Sequence, residues 1–353
     1  MHQSPLTDLT RSFGAVFSPK DDWEMPDHYG TAQNEYEHAH SGAVLRDASH
    51  LTRLKISGAD HLAFLHRMST NHFNDLAPGA GFLAILPDNR GRILAVGSFC
   101  RLGAFTLALL GPADRERLPA WFDRYIFTEA IALEDLHPET GMVELFGPLA
   151  LPLARKVLDL DLTAAADGHL LGPTNAPMPW FIRTDRCGTP GVRLIATPDQ
   201  LIELWNQLQD AGAVPLGEAS WETRRIEAGI PHPGHELTET HNPWEAGLGE
   251  AIHMNKGCYI GQEVIARLDT YDKVKQTLMG LRLSSGPLPS PNSELHKEGK
   301  QAGTITSVTY SPRLAGPIAL AYIRRAYCEP GTQIHLETAG SLQTAQVVSL
   351  PFI

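Results

Sequence analysis

The sequence predicts an α+β protein in which a mixed α/β region is followed by an all-β end domain. Up to about residue 272, strand patterns and helical patterns alternate along the chain. From residue 277 onward, the chain consists of short β-patterned runs separated by Gly, Pro and Ser clusters. Because 353 residues exceed what one hydrophobic core usually organises, we expect two or three subdomains.

The earliest clear elements are a strand, a helix and a hairpin. Residues 50–58 alternate between apolar and polar side chains, as a half-buried strand does, and residues 59–68 place apolar side chains at helical spacing. Two apolar runs, residues 82–87 and 93–101, then flank the turn sequence Asp-Asn-Arg-Gly at residues 88–91. A mixed α/β subdomain is therefore predicted.

Two helices are predicted further along the chain. Residues 197–212 form the clearest helical pattern, in which Thr197 can cap the first turn and Gly212 ends the helix. A second helix is predicted over residues 218–228, and Gly229 is a natural stop signal.

The end domain contains five β-patterned runs, enough to close a small barrel. We place its boundary near residues 272–276, which divides the chain into residues 1–275 and 276–353. The runs are LMGLRL, AGTITSVT, PIALAYI, TQIHLET and TAQVVSL.

Composition excludes several classes of protein. The formal net charge of -11 argues against a nucleic-acid partner, which needs clustered Lys and Arg. No apolar run approaches the roughly 20 residues needed to span a bilayer, and the first residues lack a signal-peptide pattern. We expect a cytoplasmic protein without a membrane partner. The cysteines lie far apart, a pattern that predicts reduced thiols and no metal site: Cys100, Cys187, Cys258 and Cys328.

The most informative cysteine is Cys258, in the sequence Lys-Gly-Cys-Tyr-Ile-Gly-Gln-Glu at residues 256–263. This stretch reads as a loop that ends at the start of a helix. A thiol between Lys256 and a helix N-terminus meets two sources of positive potential, and both favour the reactive thiolate. Local sequence is equally consistent with a small packed cysteine.

A second candidate is Glu227, in the sequence RRIEAGIPHPG at residues 224–234. A buried carboxylate at a helix end can accept two hydrogen bonds from the paired N–H groups of a planar amino-heterocycle. On local sequence alone, an Arg and a Glu on one helix are more often a surface ion pair.

Several segments together resemble the folate-binding T-protein superfamily, and the K-G-C-Y-x-G-Q-E block resembles the signature of its YgfZ branch. The resemblance implies two interleaved α/β subdomains and a small C-terminal antiparallel β-barrel around a central folate-binding hole. It covers most of residues 30–350. The segments that carry it are VLRDASHLTRLKISGADHLAFLHRMSTN, WETRRIEAGIPHPGHE, NPWEAGLGEAI, KGCYIGQEVIAR and GTITSVTYSPRLAGPIALAYI.

The resemblance also implies a function and a set of site residues. Glu227 matches the glutamate that holds the pterin ring, and Cys258 matches the signature cysteine of the branch. The implied work is support for the assembly or repair of iron–sulfur clusters, with tetrahydrofolate as ligand and transient contacts to client or assembly proteins. One cysteine cannot hold a cluster, so no stably bound metal is expected. The remaining implied cofactor-binding residues are Lys256, Tyr259, Gly261, Gln262 and Glu263.

The chain departs from true aminomethyltransferases at two places. Residues 89–96 match a segment that resembles N-x-G-G-I-x-D-D, but Ala95 and Val96 occupy the positions of the acidic pair. Neither side chain can transfer a proton, which argues against methylene transfer by that route. Gln262 stands where T-proteins carry an arginine, so a charge that could pair with a folate glutamyl carboxylate is gone.

Two alternatives to the cluster-assembly interpretation therefore stay open. The first is a folate-dependent one-carbon transferase in which another acid, with Asp88 the nearest in sequence, replaces the missing pair. The second is a protein-binding module in which the folate pocket is vestigial, an interpretation that Gln262 favours.

Overall fold

The computed structural model describes residues 1–160, 165–185, 188–338 and 341–353, so Cys187 lies outside the described residues. Contacts between residues divide the chain into two compact units. The first unit contains Met1–Ala84 and Ala95–Trp221. The second contains Ile85–Leu94 and Glu222–Ile353. Among the described residues, no helix is long and apolar enough to cross a membrane.

Helices and strands alternate up to residue 270, and strands predominate after it. The helices are α1 (Thr7–Ser12), α2 (Ala32–Ser41), α3 (His61–Met68), α4 (Asp114–Asp123), α5 (Ala150–Leu158), α6 (Pro198–Asp210), α7 (Glu218–Glu227) and α8 (Gln262–Thr270). The strands are β1 (His2–Gln3), β2 (Ala15–Lys20), β3 (Trp23–Tyr29), β4 (Val44–Asp47), β5 (Thr52–Ser57), β6 (Gly81–Pro87), β7 (Ile93–Leu102), β8 (Phe105–Leu110), β9 (Ala132–Asp135), β10 (Gly141–Phe146), β11 (Trp180–Thr184), β12 (Gly191–Ala196), β13 (Val214–Pro215), β14 (Gln276–Leu283), β15 (Glu294–Lys297), β16 (Lys300–Ser311), β17 (Gly316–Arg324), β18 (Gln333–Thr338) and β19 (Ser341–Val348).

Two five-stranded sheets are interleaved in the sequence. One has the order β6-β7-β8-β5-β9, and the other has the order β11-β12-β10-β4-β13. Strand β4 pairs with β10, almost one hundred residues later, so the second sheet begins before the first and is completed after it. This arrangement confirms the prediction of interleaved α/β subdomains. A small sheet of order β1-β3-β2 precedes both.

Helix α6 shows how local sequence fixes an element of the first unit. It begins with a capping box in which the Thr197 N–H donates to the Gln200 side chain at 3.2 Å, and Pro198 occupies the first turn. Leu201 and Trp205 of its apolar stripe are fully buried in the core that also takes in Leu145 of β10. The predicted helix is confirmed.

The end domain is a closed antiparallel barrel of order β14-β17-β16-β15-β18-β19. It closes because β14 pairs with both β17 and β19. The predicted number of five strands is wrong, since β15 is a sixth strand. Its four residues are mostly polar and only Leu295 is buried, so its sequence shows no run of apolar side chains.

The second unit is larger than the barrel. The barrel begins at Gln276, whereas the unit also takes in Ile85–Leu94 and the chain from Glu222 onward. The division into residues 1–275 and 276–353 therefore stays a prediction.

Candidate functional site

Helix α7 ends one residue before the predicted position. The backbone turns back after Glu227: the Gly229 N–H donates to Ile226 O at 2.9 Å and the Ile230 N–H donates to Arg225 O at 2.8 Å. Gly229 has a φ of +69°, and a Cβ atom on it would lie 2.8 Å from Leu350 Cβ. Glycine is therefore required here both by the left-handed turn and by the close approach of the C-terminal segment.

The carboxylate of Glu227 is buried, with 1% of the residue exposed. One of its oxygens accepts a hydrogen bond from the Ser311 hydroxyl, and its backbone carbonyl accepts the Phe352 N–H at 2.9 Å. Ser311 in turn accepts the Leu314 N–H at 3.1 Å. These bonds join the end of α7 to the end of β16 and to the chain terminus.

Arg225 lies at the centre of a charge cluster, which we define as Arg225, Glu222, Glu236 and Ser307. Glu222 is its partly exposed member, and the other three residues are buried. The Arg225 guanidinium donates to Glu236 at 3.0 Å, to Ser307 Oγ at 2.6 Å and to both oxygens of Glu222. Burial alone would lower the pKa of Arg225, but Glu236 and Glu222 outweigh it and the pKa is raised. Arg225 is therefore a structural cation, not a surface ion-pair partner.

Cys258 is an exposed residue of the loop formed by residues 254–261. Its thiol is free and exposed, whereas Cys100 is buried and Cys328 is partly buried. Burial raises the pKa of the Cys100 thiol to about 12, so that residue stays protonated. Of the cysteines described, Cys258 is the one that solvent and a partner molecule reach most easily.

Lys256 and Tyr259 of the same loop face each other. The Lys256 ammonium lies 4.9 Å from the centre of the Tyr259 ring. Burial lowers the pKa of Lys256 to about 7 and raises the pKa of Tyr259 to about 12. Burial therefore disfavours the charged form of Lys256, which weakens one of the two sources of positive potential expected beside Cys258.

The turn between β6 and β7 packs against the start of α8. Gly261 has a φ of +75°, and a Cβ atom on it would lie 2.4 Å from Asp88 O. Gly91, with a φ of +70°, approaches Val264 and Ile265 of the helix, at 3.1 Å from the position of a Cβ atom. The close contact between the hairpin turn and the start of α8 therefore explains why glycine occupies both position 91 and position 261.

Gln262 and Glu263 begin helix α8. Gln262 is half-buried, whereas Glu263 is exposed and forms an i, i+4 ion pair with Arg267 at 2.8 Å. Apart from Glu227, the five predicted cofactor-binding residues lie in one continuous segment, the loop and the first turn of α8. They are Lys256, Tyr259, Gly261, Gln262 and Glu263. The hydrogen bonds of Glu227 lead instead to Ser311 and Phe352. The ligand-binding roles of these six residues stay predictions.

The positions of the missing acidic pair are apolar and buried. Ala95 and Val96 lie in β7 with 3% and 6% of their surfaces exposed. Asp88, the nearest acid along the hairpin, uses Oδ1 to accept the N–H groups of Arg90 and Arg92, both at 2.8 Å. Asp88 therefore shapes the turn, as an aspartate in an Asx-type turn does.

The sequence analysis did not identify the residues that fix the turn at residues 242–245, which precedes the loop. Asn242 and Glu245 bond to each other twice: the Asn242 N–H donates to Glu245 Oε2 at 3.1 Å and the Glu245 N–H donates to Asn242 Oδ1 at 3.0 Å. The Trp244 indole N–H donates to Ile265 O of α8 at 2.9 Å. The N-P-W-E sequence was the available signal, because an Asx side chain before Pro favours a turn.

Metal ligands do not gather anywhere in the described part of the chain: no three His, Cys, Asp or Glu side chains there could hold one ion. The arrangement instead offers a buried carboxylate at the end of α7 and a solvent-facing thiol in a short loop. The carboxylate can accept hydrogen bonds, and the thiol can react or bind a soft metal transiently.

Comparisons with known proteins agree with this fold. Residues 6–256 match the model of the GCVT N-terminal domain, and residues 276–353 match that of the glycine cleavage T-protein C-terminal barrel domain. The chain is 31% identical to "Putative transferase At1g60990, chloroplastic" of Arabidopsis thaliana over 89% of its own length and 72% of that protein. It is 30% identical to the aminomethyltransferase of Synechococcus elongatus over 99% of its own length and 95% of that protein.

A solved structure shows the same fold over the whole chain. The glycine cleavage system aminomethyltransferase T of Bartonella henselae superimposes with a TM-score of 0.91 at 23% identity, covering 100% of this chain and 98% of that one. With both domain models matched in order, the chain belongs to the glycine cleavage T-protein family.

Proposed function

We propose that this protein binds tetrahydrofolate and supports the assembly or repair of iron–sulfur clusters in client enzymes, as members of the YgfZ branch do. The observation that carries the proposal is the combination of two features. The places of the acidic pair of an aminomethyltransferase are filled by the buried side chains of Ala95 and Val96, and a free, exposed thiol is present at Cys258.

The residues that the structure describes suit a pterin. Glu227 is a buried carboxylate at the end of α7, and the oxygens of a carboxylate can accept more than one hydrogen bond each. Paired N–H groups of an amino-heterocycle are the donors that such a carboxylate binds best. Glu227 would hold the pterin ring, and the bound folate would supply a one-carbon carrier or a redox-active heterocycle.

The thiol suits a transient partner. A cluster needs several thiolates, so Cys258 alone can contact a cluster or a sulfur species only together with ligands from a client protein. Its exposed position in a short loop permits that contact without any change in the packed core.

Complementation tests the proposal. In cells that lack their own YgfZ-type factor, the wild-type chain should restore the activity of iron–sulfur enzymes under oxidative stress, and Cys258→Ser should not. Cys328→Ser is the matched control, because Cys328 lies outside the loop and donates to Arg325 O at 3.2 Å. Rescue by Cys258→Ser would contradict a role of the thiol, and absence of rescue by wild type would contradict the assignment to this branch.

A folate-dependent one-carbon transferase is the second candidate, and the names of the relatives favour it. The Synechococcus elongatus relative, matched over almost its whole length, is an aminomethyltransferase. The test is incubation with an aminomethylated lipoyl carrier and tetrahydrofolate. Formation of methylene-tetrahydrofolate that is lost in Asp88→Asn would support the transferase, whereas absence of product beside an active aminomethyltransferase favours the first proposal.

A further inference from the structure

Two neighbouring cavities of the second unit lie along helix α8. The first measures about 180 Å³ and the second about 350 Å³. Val264, Leu268 and Lys273 line both, so the two cavities form one elongated depression. We call this depression the α8 groove.

Positive charge is concentrated in the α8 groove. One acidic side chain, Glu245, and four cationic side chains line its first cavity, and the cationic ones are Arg90, Arg92, Lys273 and Lys275. Arg92 contacts Glu245 at 3.5 Å, but Arg90, Lys273 and Lys275 form no ion pair with any residue that the structure describes. In a chain with 40 acidic and 29 basic residues, such a concentration of uncompensated cations favours an anionic partner.

The walls of the groove are held in place before any partner binds. The hairpin wall, which carries Arg90 and Arg92, is fixed by the bonds of Asp88 Oδ1 and by the contact of Gly91 with α8. The opposite wall begins at Asp272, whose φ of +50° reverses the chain at the end of the helix. Arg325 pairs with the Asp272 carboxylate and donates to its carbonyl at 2.6 Å, which secures that wall. A preformed groove costs little ordering entropy on binding.

Apolar surface continues the charged part of the groove. Tyr271 is 63% exposed and Val264 is 39% exposed. Val264 lies on α8 and Tyr271 is its C-cap residue, seven positions later, so the two side chains share a face with Arg267 and Leu268. Exposed Tyr and Arg beside aliphatic side chains are typical of the centre of a protein interface.

We propose that the α8 groove docks an extended acidic segment of a partner protein, with carboxylates against Arg90, Lys273 and Lys275 and an apolar side chain against Tyr271 and Val264. A small anion would need only the first cavity and would leave the apolar half unused. The inference does not depend on folate binding or on Cys258.

The test selects peptides from a displayed random library on the wild-type protein and measures the affinity of a selected, fluorescently labelled peptide by anisotropy. We expect the selected peptides to combine Asp or Glu with an aromatic or aliphatic residue, and their binding to weaken with salt. Lys273→Glu/Lys275→Glu should lower the affinity by about tenfold or more, and Tyr271→Ala should lower it about threefold to tenfold.

Lys297→Glu/Lys300→Glu, at the turn between β15 and β16, is the matched control and should bind the peptide as wild type does. Circular dichroism checks that every variant is folded. Selected peptides without acidic residues, or equal affinity of the wild type and Lys273→Glu/Lys275→Glu, would overturn the proposal. Complete displacement of the peptide by millimolar citrate at constant ionic strength would also overturn it and assign the first cavity to a small anion.

Discussion

Two regions of the second unit hold charged side chains in opposite ways. In the Arg225 cluster, Arg225 and Glu236 are buried, Glu222 is partly buried, and each charge meets an opposite charge or a hydroxyl group. In the loop of residues 254–261, Lys256 is buried against an aromatic ring and the thiol of Cys258 faces solvent. The cluster therefore uses its charges to stabilise the fold, whereas the loop leaves the thiol of Cys258 accessible to solvent.

The largest expected effect comes from breaking the cluster. Arg225→Met removes the cation that compensates Glu236 and Glu222, and Glu236 is fully buried. Leaving a buried carboxylate without its partner costs about 3–5 kcal/mol of the free energy of unfolding. Denaturant unfolding measures it, and Arg267→Met, in the exposed pair with Glu263, is the control with an expected loss under about 0.5 kcal/mol. Equal losses in the two variants would show that the Arg225 cluster stabilises the fold no more than an exposed ion pair does.

The two glycines of the loop sharpen the comparison. Gly261→Ala introduces a Cβ atom 2.4 Å from Asp88 O at a φ of +75°, and we expect a loss of about 2–4 kcal/mol in the free energy of unfolding. Gly257→Ala has a comparable φ of +94° but no atom within 4 Å of the new Cβ, so about 1 kcal/mol is expected. Thermal and denaturant unfolding of the two variants separate the cost of the steric clash at position 261 from the cost of a positive φ, which both positions share. A larger loss of the free energy of unfolding for Gly257→Ala than for Gly261→Ala would contradict the close packing of the hairpin turn against Gly261.

The free energy of unfolding should depend on pH because of Lys256. Burial holds the pKa of Lys256 at about 7, below its usual value near 10.5, so the unfolded chain binds more protons between these pH values. The free energy of unfolding should therefore rise with pH from 7 to about 10, relative to a variant without the amine. Lys256→Met should gain roughly 1 kcal/mol at pH 6 over wild type, after allowance for screening, and less at pH 9. Lys300→Met, at an exposed site, should follow wild type at both pH values.

The smallest expected effect on stability is that of Cys258→Ser. The residue is exposed and its replacement is nearly isosteric, so the free energy of unfolding should stay within about 0.5 kcal/mol of wild type. Thiol titration of the native protein should at the same time lose one fast-reacting group, while Cys100 stays unreactive until unfolding. A destabilised Cys258→Ser would show that the thiol is a packing residue, which the local sequence had left open.

Elements with strong local signals were predictable from the sequence. Helix α6 carries its own cap at Thr197, α8 begins at the block that contains Gly261, and the hairpin of β6 and β7 is marked by its turn residues. Strand β15 was missed because one buried leucine among polar residues leaves no periodic pattern.

The surroundings of the site could not be predicted from sequence. Arg225 meets Ser307 from 82 positions away, and Glu227 meets Ser311 from 84 positions away, so both contacts exist only after the barrel has folded. The lowered pKa of Lys256 has a similar origin, since burial of that side chain is a tertiary effect. Local sequence indicated candidate side chains, but tertiary packing decided which of them are buried and which are exposed.

Binding of tetrahydrofolate tests the central claim most directly, because both candidate functions require it and a vestigial pocket would lack it. Isothermal titration of the wild-type chain should show one site, and Glu227→Gln should weaken binding by about tenfold or more, since an amide replaces one acceptor oxygen with a donor. Glu294→Gln, at an exposed position of the barrel, should bind as wild type does. Absence of binding to the folded wild-type protein would contradict the account and leave a protein-binding module as the function of the fold.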